Sequence, residues 1–86
     1  MKKQSYILVN PLGLHFRPAS LIIEKALLYT CQITLCRDTE VAHTNSIMSL
    51  LKLGAKGGEE IIVIANGIDE NEAVKAIGEI IESNKD

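Results

Sequence analysis

His15 and Arg17 stand two residues apart in Gly13-Leu14-His15-Phe16-Arg17-Pro18-Ala19-Ser20, a stretch that joins a titratable nucleophile, a fixed cation and the expected start of a helix. Amides in a first helical turn lack intrahelical partners and carry the positive end of the helix dipole. Those of Phe16 and Arg17 are therefore expected to face whatever lies beside His15. Such a corner binds anions. Pro18 offers no amide, but it falls in the first turn, where an intrahelical partner is missing anyway. A neutral imidazole is a nucleophile, and the helix end and Arg17 both disfavour a further positive charge on it. If the ring takes a phosphoryl group, the arriving charge meets the amides and the guanidinium. No carboxylate stands nearby in sequence to act as a base. Transfer from an activated phosphoryl donor requires none, because orientation and charge stabilisation carry most of that reaction. Against this stands the plainer possibility that His15 is only a helix N-cap or turn residue.

Holding that corner requires a strand before it and a helix behind it, and both patterns are present. Gln4 to Val9 is rich in β-formers and is followed by the turn residues Asn10-Pro11-Leu12-Gly13. From a start near Phe16, the positions Ala19, Ile22, Ile23, Ala26 and Leu27 repeat at helical spacing. Cys31 to Cys36 and Val41 to Thr44 alternate about Arg37-Asp38-Thr39-Glu40, which predicts a hairpin. Ser46 precedes Ile47 to Leu53, with Gly54 behind, the pattern of a short helix with a serine N-cap and a glycine stop. After a Gly-rich loop, Glu60 to Ala65 reads as a central strand and Asn66-Gly67 as a turn. Asp69 and Glu72 are spaced as a capping box for a last helix, whose buried stripe is Ala73, Val74, Ile77, Ile80 and Ile81. Gly78 interrupts that helix at a cost of roughly 1 kcal/mol relative to Ala. The order β-α-β-β-α-β-α predicts an α+β fold, a two-layer open-faced sandwich with helices on one face of an antiparallel sheet and water on the other.

With 86 residues, the chain is expected to form one domain, residues 1–86, too small to carry a separate substrate lobe. Hydrophobic residues make up 47%, enough for a core, while aromatics at 3% leave nothing from which to build base-stacking platforms. A net charge of -2 lacks the basic excess of a phosphate-backbone binder, so no nucleic-acid partner is expected. The longest apolar run, Ile61 to Ala65, falls far short of the ~18–20 residues that span a bilayer, and no signal-peptide core follows Met1-Lys2-Lys3. No membrane insertion is expected, and the location is expected to be cytoplasmic. Along one extended strand, Cys31 and Cys36 would lie roughly 16 Å apart, beyond the ~7 Å a disulfide allows. Their spacing fits neither a zinc nor a CxxC pattern, so free thiols, no metal and no cofactor are expected.

Gly-Leu-His-Phe-Arg-Pro-Ala-Ser resembles the active-site signature of the histidine-containing phosphocarrier (HPr) family of the bacterial sugar phosphotransferase system, usually Gly-(Leu/Ile)-His-Ala-Arg-Pro-Ala. Asn45-Ser46-Ile47-Met48 is similar to its regulatory-serine segment, Leu53-Gly54 to the end of its second helix and Gly67-Ile68-Asp69-Glu70-Asn71-Glu72-Ala73 to its entry into the last helix. The likeness covers nearly the whole chain. It implies a four-stranded antiparallel sheet ordered 1-4-2-3 under three helices. It also implies phosphorylation of His15 on Nδ1 by phospho-enzyme I, charged from phosphoenolpyruvate, and transfer to IIA domains of sugar permeases. Arg17 would contact the phosphoryl oxygens in both steps, and the chain would work as a monomer.

Phe16 departs from the usual Ala. A ring there either enlarges an apolar docking surface formed with Ile47, Met48 and Leu51 or narrows access to His15. Lys52 adds a positive charge to that face and, like Ser49, departs from the residues common in Gram-positive relatives; Ile47 and Leu51 could instead simply pack in the core. Ser46 is expected as an N-cap worth roughly 1 kcal/mol. The resemblance adds phosphorylation of Ser46 by an ATP-dependent HPr kinase/phosphorylase, inhibiting docking on enzyme I and recruiting a transcriptional regulator. Two other functions fit the same order of elements: a regulatory HPr paralogue acting mainly through phospho-Ser46, and a small-ligand-binding regulatory α+β domain.

Overall fold

The computed structural model describes residues 1–83, so residues 84–86 of the expected domain lie outside the described residues. Its elements run β1 (Lys2–Ile7), α1 (Phe16–Ala26), β2 (Gln32–Arg37), β3 (Glu40–His43), α2 (Ile47–Lys52), β4 (Glu60–Asn66) and α3 (Glu70–Ile81). The four strands form one antiparallel sheet in the order β1-β4-β2-β3. β4 lies between β1 and β2, and its apolar run alternates: Ile61, Val63 and Ala65 are buried, whereas Ile62 and Ile64 are half-buried. Pairing of Ala65 with Ile33 and of Val63 with Leu35 continues the buried side across β2. The helices supply the other half of the core through Ala19, Ile22, Leu50, Ala73, Val74, Ile77 and Ile81. Thr34 and Cys36 lie half-buried on the opposite side of the sheet. No helix among the described residues is long and apolar enough to cross a membrane.

Several expected boundaries move. The first strand is Lys2–Ile7 and not Gln4 to Val9, because pairing with β4 extends to Lys2 opposite Ala65. Beyond Ile7 the chain turns Leu8 into the core, with its amide donating to the Glu59 carbonyl at 2.9 Å. Cys31 lies just before β2, and Thr44 lies just after β3, buried, with its hydroxyl donating to the Ile33 carbonyl at 3.1 Å. Cys31 and Cys36 are both free thiols.

The expected Asp69–Glu72 capping box does not form. Asp69 is the N-cap of α3 by backbone position, but its carboxylate accepts instead from the Thr30 and Cys31 amides at 2.8 and 3.1 Å. Two bonds to a distant loop thus displace one local cap, tying the α1–β2 connection to the start of α3. Glu70, not Glu72, reaches back, accepting from the Gly67 amide at 3.1 Å. Gly78 faces the Tyr6 ring so closely that a methyl group there would overlap it. The Tyr6 hydroxyl donates to the Val74 carbonyl at 3.3 Å, fixing β1 across α3.

Candidate functional site

His15 occupies the N-cap of α1 with extended backbone, φ -97 and ψ -169, and its side chain makes no cap hydrogen bond. The N-cap expectation therefore holds for the backbone alone, and the half-buried imidazole makes its contacts outside the helix end. Ala19 donates to the His15 carbonyl at 3.1 Å, closing the first turn. Phe16, Arg17 and Pro18 precede that bond, so the amides of Phe16 and Arg17 have no acceptor within the helix. Pro18 sits third in the helix and is buried. Arg17 is exposed and lines a shallow groove between α1 and α3 with Leu21, Lys25, Glu79 and Ile80. Among the described residues it makes no ion pair.

The loop that delivers His15 is fastened at successive residues. Gly13 donates to the Asn10 carbonyl at 2.9 Å, Leu14 to the Ala55 carbonyl at 3.0 Å and His15 to the Gly13 carbonyl at 3.1 Å. Gly13 is at φ +76, with Ala55 O where a Cβ would sit, so only glycine fits both the conformation and the approach. Asn10, 2% exposed, is the residue that sequence reasoning passed over as a turn former. Its Oδ1 accepts from the Leu12 amide at 2.9 Å, and its Nδ2 lies 3.5 Å from His15 Nε2. The turn residues Asn10-Pro11-Leu12-Gly13 signalled the turn; nothing in the sequence signalled contact with the ring.

Below this loop, Arg37 braces the far side. Its Nε donates to the Leu53 carbonyl at 2.8 Å, satisfying the end of α2, and one guanidinium nitrogen lies 3.4 Å from Glu59 Oε2. Glu59 Oε1 in turn accepts from the Lys56 amide at 2.6 Å, ordering the segment whose Ala55 carbonyl holds Leu14.

Ser46 is the N-cap of α2 as expected, its hydroxyl accepting from the Ser49 amide at 3.2 Å. Gly54 follows the helix at φ +64, the left-handed stop expected of it. Leu50 and Leu53 are buried, whereas Ile47 and Leu51 are half-buried against the core and Lys52 is exposed. Met48 is 59% exposed, Phe16 65% and Leu12 69%, leaving large apolar side chains in solvent on α2, α1 and the His15 loop. Leu12 was not singled out from the sequence, although it lies within three residues of His15. Among the described residues no group of three His, Cys, Asp or Glu side chains is placed to hold a metal ion.

The family model described as the PTS HPr component phosphorylation site matches residues 2–83. The phosphocarrier protein HPr of Mycoplasma genitalium is 35% identical over 86 residues, covering 99% of this chain and 98% of its own length. HPr-C-His from Thermoanaerobacter tengcongensis superposes with a TM-score of 0.88 at 36% identity, covering 95% of this chain and 92% of that one. Crh, a Bacillus subtilis catabolite repression protein described as a swapped dimer, superposes with a TM-score of 0.76 at 32% identity, covering 95% and 94%. Sheet order, the placement of the histidine and the near full-length match agree, and the chain belongs to the HPr family of phosphocarrier proteins of the phosphotransferase system.

Proposed function

We propose that His15 accepts a phosphoryl group on Nδ1 from phospho-enzyme I, charged from phosphoenolpyruvate, and passes it to IIA domains of sugar permeases in the cytoplasm. The observation that carries this reading is a half-buried imidazole at the N-cap of α1, beside two amides without helical acceptors, in a chain matched over residues 2–83 by a phosphorylation-site family. Nε2 is the nitrogen turned toward buried Asn10, which supports Nδ1 as the reacting atom. Its lone pair attacks phosphorus as the donor's bond to phosphorus breaks with its electron pair. The oxygens then receive hydrogen bonds from the Phe16 and Arg17 amides and from the Arg17 guanidinium. Phe16, Ile47, Met48 and Leu51 present apolar surface to the partners, and Lys52 adds a positive charge at its edge. Incubation with enzyme I and phosphoenolpyruvate is expected to give an acid-labile phosphate that is absent from His15→Ala. Label persisting in that variant sinks the assignment.

A second reading rests on Ser46. A phosphate at this N-cap retains acceptor oxygens for the Ser49 amide and suits the helix dipole, so it adds charge to the docking face without unfolding α2. Modification by an HPr kinase/phosphorylase would then weaken docking on enzyme I and offer a surface to a transcriptional regulator, as in a catabolite-repression paralogue. Retention of His15 and Arg17 favours the carrier, acting as a monomer. Normal transfer to a IIA domain by the unmodified protein would eliminate the paralogue, and labelling with ATP and the kinase tests Ser46 directly.

A further inference from the structure

We infer that Asn10 is a positioning residue for His15: its side-chain amide holds Nε2 as a hydrogen-bond acceptor and thereby prolongs the life of a phosphoryl group on Nδ1. The second half rests on the reading of His15 as the phosphoryl acceptor. Asn10 is 2% exposed, and its two side-chain ends are assigned by what they meet. A backbone N–H can only donate, so the atom 2.9 Å from the Leu12 nitrogen is the carbonyl oxygen Oδ1. The other end is then the NH2 group, 3.5 Å from His15 Nε2. Two donors cannot share that contact, so the neutral ring beside Asn10 carries its proton on Nδ1 and its lone pair on Nε2.

This arrangement matches the charged carrier better than the empty one. Accepting a phosphoryl group requires the Nδ1 lone pair, so the Nδ1 proton must leave and Nε2 must take one while the amide gives way. Once the Nδ1–P bond has formed, Nε2 releases its proton to water and its lone pair again meets the Asn10 NH2. Hydrolysis reverses the demand. Water oxygen bonds to phosphorus, the N–P bond breaks and its electron pair goes to Nδ1. The ring departs most readily when Nε2 is protonated, because neutral imidazole then leaves and not imidazolate. An amide donating to Nε2 competes with that proton and slows the loss.

The test uses the full-length protein, Asn10→Ser and Asn10→Asp. Both variants keep an oxygen for the Leu12 amide. Serine loses the donor toward the ring without adding charge, and aspartate replaces the donor by an acceptor. Nitrogen NMR of unphosphorylated, 15N-labelled protein should show the Nδ1–H tautomer in the parent and a shift toward Nε2–H in Asn10→Asp, a change that a merely structural role would not produce. After charging with enzyme I and phosphoenolpyruvate, the half-life of the phosphoryl group should fall roughly two- to tenfold in Asn10→Ser, the range of one net hydrogen bond, and further in Asn10→Asp. An Nε2–H tautomer in the parent overturns the inference, as do unchanged half-lives in variants that melt like the parent. If the parent takes no label on His15, the carrier reading fails and the lifetime claim with it, whereas the NMR spectra decide the tautomer alone. Should Asn10→Asp fail to fold, the parent spectrum and Asn10→Ser still decide.

Discussion

Replacing Arg17 by Ala removes an exposed guanidinium that makes no ion pair among the described residues, so the melting temperature should stay near that of the parent. Phosphoryl transfer from enzyme I should nevertheless slow roughly ten- to hundredfold, the kinetic equivalent of one charge-assisted hydrogen bond made in the transition state. Rapid-quench measurement of single-turnover transfer checks this, and Arg17→Lys should recover only part of the rate because an ammonium lacks the planar fork. Cys31 behaves in the opposite way, a nucleophile made inert. Burial first, and then the Asp69 carboxylate, push its thiol up to about 11. At pH 8 it should therefore alkylate slowly, and Asp69→Asn should speed the reaction without restoring the rate of an exposed thiol, as mass spectrometry of iodoacetamide-treated protein would read. At this scale the sequence was informative where chemistry is local. The placement of His15 and Arg17 at the start of α1 and of Ser46 at the N-cap of α2 was legible because spacing to a helix start is local, whereas the contact of Asn10 with His15 was not, because its partner is chosen by the fold of the loop.

Between elements, contacts override local preference. Gly78→Ala should strengthen an isolated helix by roughly 1 kcal/mol, yet in the folded protein the new methyl overlaps the Tyr6 ring and the net effect should be destabilising by about 1–3 kcal/mol. Urea denaturation of Gly78→Ala alone and combined with Tyr6→Ala separates the two: the glycine substitution should lose its cost in the Tyr6→Ala background. Asp69 is the second such joint. The Thr30 amide first, and then its other hydrogen bonds, hold its carboxyl below the ordinary 3.8. A carboxyl lowered on folding adds stability that is fully present above about pH 4 and is lost as the pH falls through the lowered folded value. Asp69→Asn should therefore lower the urea midpoint at pH 7, and the gap to the parent should close below pH 4. The capping box expected from Asp69 and Glu72 failed for the same reason that Gly78 looked like a flaw. Neither Thr30 nor Tyr6 is near its partner in sequence, so no local pattern could announce them.

For the whole molecule, element order and type were legible because apolar residues repeat at helical spacing in α1 and α3, alternate in the β2–β3 hairpin and run unbroken in β4, whereas sheet order came from family resemblance and not from periodicity. That order carries a consequence for the history of the chain. β1, at residues 2–7, has β4 as its sole neighbour in the sheet among the described residues, and β4 spans residues 60–66. Leu8 and Leu14, in the segment that leads to His15, likewise bond to the carbonyls of Glu59 and Ala55. During synthesis the first strand must wait for its sheet neighbour until residues 60–66 have emerged, and Leu14 for its acceptor until residue 55 has, since distant pairing pays its closure entropy before any contact repays it. A ribosome-bound chain whose exposed part stops before residue 55 should show no amide protection at Tyr6 or Leu14, and Tyr6 should become protected only once β4 is free of the exit tunnel. Hydrogen exchange on stalled chains would read that step; early protection at either residue would refute it. The newborn chain thus cannot hold His15 in its organised loop until residues some forty positions further on have been made.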